Sequence, residues 1–164
     1  MDSSIVRYTE NHGLASNKVR TISIDNNGVK WFGTGRSVSR FDGINWIYYP
    51  FGYPSNHPSE ITSSFVGDNN SIWFGAGFGV YKIDGIDWKL IIRSSTNKII
   101  KDNNGTIWVI GGNWAVNYDI NGNILNSYDS PYGDEYFCVA VDSNSVLWVG
   151  GKLYVPESND SPSK

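Results

Sequence analysis

A tryptophan recurs four times in the same local setting, and nothing else in this 164-residue chain restricts its fold so tightly. The four copies are Trp31, Trp73, Trp108 and Trp148, spaced by 42, 35 and 40 residues. Each follows a β-rich run that ends in a polar turn: Asp25-Asn26-Asn27-Gly28, Asp68-Asn69-Asn70-Ser71, Asp102-Asn103-Asn104-Gly105 and Asp142-Ser143-Asn144-Ser145. Asn, Asp and Gly tolerate positive φ, and Asx side chains bond their own backbone, so each turn joins two strands into a hairpin.

A Gly-rich corner and a third run follow in the first three units, ending at Asp42, Asp84 and Asp119, each eleven residues after its tryptophan. A fourth run completes the unit at 45–49, 87–92 and 123–128. Helical periodicity is nowhere sustained, and turn residues punctuate the chain about every ten residues, the spacing of an all-β fold. Four strands repeated at this period form a blade of a β-propeller. Aromatic residues are 15% of the chain, so the core is built from rings, and one tryptophan per repeat is expected to wedge between neighbouring blades.

The expected architecture is a single all-β domain over residues 1–155, with blades at about 18–49, 60–92, 97–129 and 135–155. Residues 3–9 precede the first unit as fourth strands precede the others, so they are expected to supply the missing outer strand of the last blade. Residues 156–164 have the composition of a disordered tail. Two assemblies satisfy this closure: a four-bladed monomer, or a strand-swapped homodimer forming an eight-bladed ring.

Residues 11–34, from Asn11 through Gly13-Leu14-Ala15-Ser16-Asn17 to Trp31-Phe32-Gly33-Thr34, followed by Val38–Gly43, closely resemble the two-component regulator propeller repeat. The resemblance covers nearly all of residues 5–155. Its second copy lacks one turn residue, and its fourth has Gly150-Gly151-Lys152 in place of a longer corner. In that family such repeats form sensory portions of bacterial signalling proteins outside the cytoplasm. The resemblance therefore implies a recognition module in a periplasmic or secreted setting, without the signalling output.

Thirteen basic and sixteen acidic residues give a net charge of −3 with no basic stripe, so nucleic acid is not an expected partner. No apolar run is long enough to insert into a membrane, and Met1-Asp2-Ser3-Ser4 lacks the features of a signal peptide. Cys138 has no second cysteine to pair with, and its apolar setting reads as a buried strand thiol. The two histidines, His12 and His57, lie in connections and read as turn residues, so no zinc site or Ser-His-Asp triad is expected. The Asp-Asn-Asn-Gly turns are too poor in acids for calcium and read as structural. They also miss the Asp box of sialidase-like propellers, because Asp precedes Gly by three residues and not two. No metal, cofactor or catalytic residue is expected.

Functional candidates are the residues that the repeat does not explain. In propellers the corners between second and third strands share a face with the connections between blades. Mapped here, the corners contribute Arg36, Phe78, Asn113, Trp114 and Lys152, and the connections contribute Phe51, Tyr53, His57, Tyr132 and Asp134. Aromatic rings beside directional polar groups suit a small glycan, a peptide or a protein partner. The expected ligand-binding set is Trp114, Arg36, Phe78, Asn113, Lys152, Tyr53, Tyr132 and Asp134. Trp114 leads it because its counterpart in the second repeat is Gly79, and its replacement by Ala is expected to abolish binding with little change in thermal unfolding. Two rival readings are a small hydrolase or lyase using the unrepeated acids Glu60, Asp134 and Glu135, and an assembly protein whose strand exchange is its purpose.

Overall fold

The computed structural model describes residues 5–35, 37–50, 60–84, 87–130 and 133–152. Among the described residues fourteen strands follow one another in chain order. The first blade is β1 (Val19–Ile24), β2 (Lys30–Thr34), β3 (Ser37–Phe41) and β4 (Trp46–Pro50). The second is β5 (Ile61–Val66), β6 (Ile72–Ala76), β7 (Gly79–Asp84) and β8 (Asp87–Ile92). The third is β9 (Lys98–Lys101), β10 (Ile107–Gly111), β11 (Trp114–Tyr118) and β12 (Ile124–Asp129), and the fourth holds β13 (Glu135–Val141) and β14 (Leu147–Lys152) among the described residues. Each sheet is an antiparallel meander with strands in sequence order. Inner strands stand side by side, β5 against β1, β9 against β5 and β13 against β9, so the four blades form an arc.

The repeated tryptophans do the joining. Trp31, Val38 and Tyr49 of the first blade pack against Ile61, Ile72 and Phe74 of the second. Trp73 and Val80 meet Ile99, Ile107 and Val109 of the third blade, and Trp108 meets Val139, Val141 and Leu147 of the fourth. A buried indole of this kind removes about 150–250 Å² from water, about 4–6 kcal/mol as an upper bound.

Each turn also fixes its own ring. Asp25 accepts hydrogen bonds from the Asn27 and Val29 amides through Oδ1 and from Trp31 Nε1 through Oδ2, the last at 3.2 Å. Asp102 does the same for Asn104, Thr106 and Trp108, and Asp142 for Asn144, Val146 and Trp148. These carboxylates are engaged inside their hairpins, which explains the turn chemistry without a metal. The second blade departs from the pattern. Gly67 stands where Asp25 stands in the first blade, Trp73 Nε1 donates to Ser71 Oγ at 3.1 Å, and Asp68 pairs with Lys101 at 2.5 Å. A side chain at residue 67 would meet the Trp73 indole, so glycine is required for the ring to approach.

Three sequence expectations change at the ends of the arc. Trp148 is 64% exposed, whereas Trp31, Trp73 and Trp108 are each below 10%, because among the described residues no further blade packs on the face that Trp148 occupies. Cys138 is exposed for the same reason and is not a buried thiol. The N-terminal residues, expected as the outer strand of the last blade, form no strand over 5–9. Tyr8 instead packs 5.2 Å from the Phe41 ring and 5.5 Å from Trp46, on the first blade. No helix among the described residues is long and apolar enough to cross a membrane.

Candidate functional site

Antiparallel registers decide which residues share an end of the arc. Val19 pairs with Thr34, and Ser37 with Pro50, so the start of β1, the β2–β3 corner and the end of β4 lie together. The same holds for Ile61 and Ala76, for Gly111 and Trp114, and for Glu135 and Lys152. The Asp-anchored hairpins occupy the opposite end. Corners and blade connections therefore share one face, as the sequence mapping requires.

At that face, where the inner strands begin, a cleft of about 400 Å³ opens between Arg20, Thr62, Asn97, Lys98, Tyr136 and Phe137. Backbone irregularities create it. The ladder skips one residue in β1 between Val19 and Thr21, in β5 between Ile61 and Ser63, and in β13 between Tyr136 and Cys138. The skipped residues are Arg20, Thr62 and Phe137, all of them lining residues. A β-bulge leaves its extra residue out of the ladder and turns its side chain aside, here toward the cleft.

The cleft is cationic in a chain of net negative charge. Arg20 forms an ion pair with Glu60, and Lys18 Nζ lies 3.7 Å from the same carboxylate. The Arg20 guanidinium holds the Glu60 carboxyl below the usual carboxylate range. Lys98 lines the cleft, and Tyr136 and Phe137 supply its aromatic wall.

The expected site residues fall around this opening unevenly. The Asn113 carbonyl accepts from the Ser130 amide at 2.8 Å, Ser130 Oγ donates to Asp134 Oδ2 at 3.1 Å, and the Tyr136 amide donates to the Gly112 carbonyl at 2.7 Å. Lys152 pairs with Glu135 across the β13–β14 ladder. Asn113, Asp134 and Lys152 thus share the corner that positions Tyr136. Trp114 lies half-buried over Gly111 and against the core between the second and third blades, so its ring has a packing role that the sequence does not reveal. Phe78 is exposed on the second blade's corner. Arg36, Tyr53 and Tyr132, with Phe51 and His57, lie outside the described residues.

The rival acids are placed as follows. Glu60 is held by Arg20 and Lys18, Asp134 by Ser130, and none of the three unrepeated acids lines the cleft. His12 ends a short turn in which its Nδ1 accepts from the Thr9 amide at 3.0 Å. Among the described residues no cluster of three or more His, Cys, Asp or Glu side chains offers a metal site. Sequence reasoning missed all of the lining residues, Arg20, Thr62, Asn97, Lys98, Tyr136 and Phe137. Aligning the position eleven residues before each repeated tryptophan would have brought Arg20, Thr62, Asn97 and Phe137 together.

No family model and no curated protein matches the sequence. Solved structures do match it as folds. Virginiamycin B lyase from Staphylococcus aureus superposes with a TM-score of 0.68 at 19% identity, over 80% of this chain and 48% of that one. The extracellular domain of a hybrid two component system protein from B. thetaiotaomicron gives 0.69 at 22% identity, over 90% of this chain and 22% of that one. YCF48 bound to D1 peptide gives 0.61 at 14% identity, over 81% and 47%. The chain thus has the β-propeller fold of two-component sensor domains and of propeller lyases. It spans about half the length of the lyases and about a fifth of the sensor domains.

Proposed function

We propose that this chain is a non-enzymatic recognition module that binds an acidic peptide at the cleft on its corner face, in an extracytoplasmic setting. The observation that carries the reading is the composition of the cleft: Arg20 and Lys98 beside Tyr136 and Phe137, with no carboxylate in the lining. Cations at the edge of an aromatic wall match a segment that offers carboxylates and apolar side chains together. Asn113, Asp134 and Lys152 extend the rim, and Trp114 and Phe78 stand on the neighbouring corners, with Arg36, Tyr53 and Tyr132 proposed on the same face. Solved neighbours of the same fold support a peptide ligand and an extracellular location, since one is bound to a peptide and others are extracellular domains.

A lyase reading has the propeller lyase as its support. In that enzyme a histidine-to-alanine variant is catalytically inactive, whereas the cleft here has no His, Cys or carboxylate among its lining residues to carry a proton. The binding reading accounts for more of the residues present.

The test is fluorescence anisotropy with two labelled peptide pools of equal length, one rich in Asp, Glu and aromatics and the other with Asn and Gln replacing the acids. The acidic pool is expected to bind, and Arg20→Ala and Phe137→Ala are each expected to weaken it by about tenfold. Arg20 is partly exposed and its ion pair lies at the surface, so its removal leaves folding nearly unaffected. Equal binding of both pools, preference for an acidic oligosaccharide, or indifference to both substitutions contradicts the proposal.

A further inference from the structure

A second cleft, of about 310 Å³, lies inside the arc at the seam between the second and third blades and shares no lining residue with the corner-face cleft. Its walls follow from the registers. Trp73 pairs with Lys82 across β6 and β7, and Lys82 with Lys89 across β7 and β8, so the three side chains stand in one row on the face that meets the third blade. The facing wall is the β11–β12 turn, through Ile120 and Asn121. That turn is seated on the second blade: Gly122 has a φ of +89°, and a side chain there would stand 2.7 Å from the Ile91 carbonyl oxygen. Ile91 is the residue that the β7–β8 ladder skips, and it lines the cleft beside Leu90.

The repeat does not account for the charge in this row. In the first blade the cation over the tryptophan is Arg40, 5.8 Å from the Trp31 ring, with Asp42 at 3.6 Å and Ile47 as its ladder partner. In the third blade the same places hold Asn117 and Asn126, which carry no charge. In the second, Lys82 Nζ is stationed 5.6 Å from the Trp73 ring centroid, and its ladder partner is another lysine. Among the described residues neither lysine forms an ion pair. The next ladder pair toward the hairpin is Asp84 with Asp87, and Asp87 is exposed and outside the lining. Like charges directly opposite one another across a ladder repel, and a dianion between them reverses the sign.

We propose that this cleft binds a small phosphate monoester, its phosphate held between Lys82 and Lys89 and its organic part against Leu90, Ile91 and Ile120. Directly opposed ladder residues have Cβ atoms about 4.5–5.5 Å apart, so both ammonium groups close on one compact group rather than on two separated carboxylates. A phosphate monoester carries about −1.5 to −2 near neutral pH and offers three acceptor oxygens, which matches two ammonium donors. No carboxylate lines the cleft to compete for the lysines. Its volume suits a small molecule, since such sites span roughly 300–1,000 Å³. The proposal stands apart from the peptide-binding reading, which uses the corner face.

Isothermal titration calorimetry with phenyl phosphate as the probe tests this. One-to-one binding is expected, at least about tenfold tighter than that of inorganic phosphate, which lacks the apolar part, or of phenyl sulfate, which carries one charge. Lys89→Gln and Lys82→Gln are each expected to weaken it by about tenfold. Lys89 is exposed and opposed by a like charge, so its replacement leaves far-ultraviolet circular dichroism unchanged and does not lower the ligand-free thermal midpoint. Arg20→Ala, on the corner face, is expected to leave phenyl phosphate binding unchanged. Absence of saturable binding overturns the proposal. So does equal binding of inorganic phosphate or phenyl sulfate, indifference to both lysine substitutions, or a loss that follows Arg20→Ala instead.

Discussion

Asp102 is buried at 7% exposure and accepts hydrogen bonds from two backbone amides and one indole, so a single carboxylate sets both the hairpin and the ring that joins two blades. Its replacement by Ala leaves those donors without an acceptor in a buried turn. A loss of about 2–4 kcal/mol in urea unfolding is expected. Asp68→Ala, at the same turn of the second blade, is expected to cost no more than about 1 kcal/mol, because its carboxylate is 71% exposed and its one ion pair is to Lys101. Exposed turn acids give the acid response. The Trp148 indole and the Val146 amide lower the Asp142 pKa, the Asn45 and Ile44 amides lower that of Asp42, and Asn123 lowers that of Asp119. A lowered folded pKa contributes stability that is complete above the unfolded value and disappears as pH falls through the folded one. Thermal midpoints should therefore hold level from neutral pH down to roughly pH 5 and decline below roughly pH 4. A midpoint that rises on acidification contradicts this assignment.

Blades approach one another through their glycines. A side chain at Gly33 would stand 2.5 Å from Thr21 Cγ2 and 2.8 Å from Ile61 Cγ2, at the seam between β1 and β5, whereas Gly35 faces open space. Gly33→Ala is expected to cost about 1–3 kcal/mol by overpacking, and Gly35→Ala about 0.5 kcal/mol or less, both read by urea unfolding. Gly111→Ala would drive the Trp114 ring off its seat, and Trp114→Ala is expected to lower stability as well as any binding. The pattern that carries the fold was legible at this scale because Trp, Asx turn and Gly recur at fixed offsets. The cleft was not, because Arg20, Thr62 and Phe137 occupy bulges, and a skipped residue breaks the alternation from which strand faces are read. The exchange of roles between Gly67 and Asp68 was hidden by the same one-residue slip.

For the whole molecule, repeat periodicity specifies how one blade meets the next and is silent on whether a next blade is there. Trp148 and Cys138 were read as buried because their local sequence matches buried counterparts, and both are exposed because they face outward from the end of the arc. The placement of Tyr8 on the first blade follows from aromatic partners at Phe41 and Trp46 that strand counting does not weigh. The central claim is that recognition occurs at the corner face, where the inner strands begin and the repeat pattern yields to individual residues. Backbone chemical-shift mapping on the isotope-labelled chain with the acidic peptide pool tests it most directly. Perturbations are predicted to concentrate at Arg20, Thr62, Asn97, Lys98, Tyr136 and Phe137; perturbations centred on the Asp25–Val29 and Asp102–Thr106 turns, at the opposite end, would contradict it.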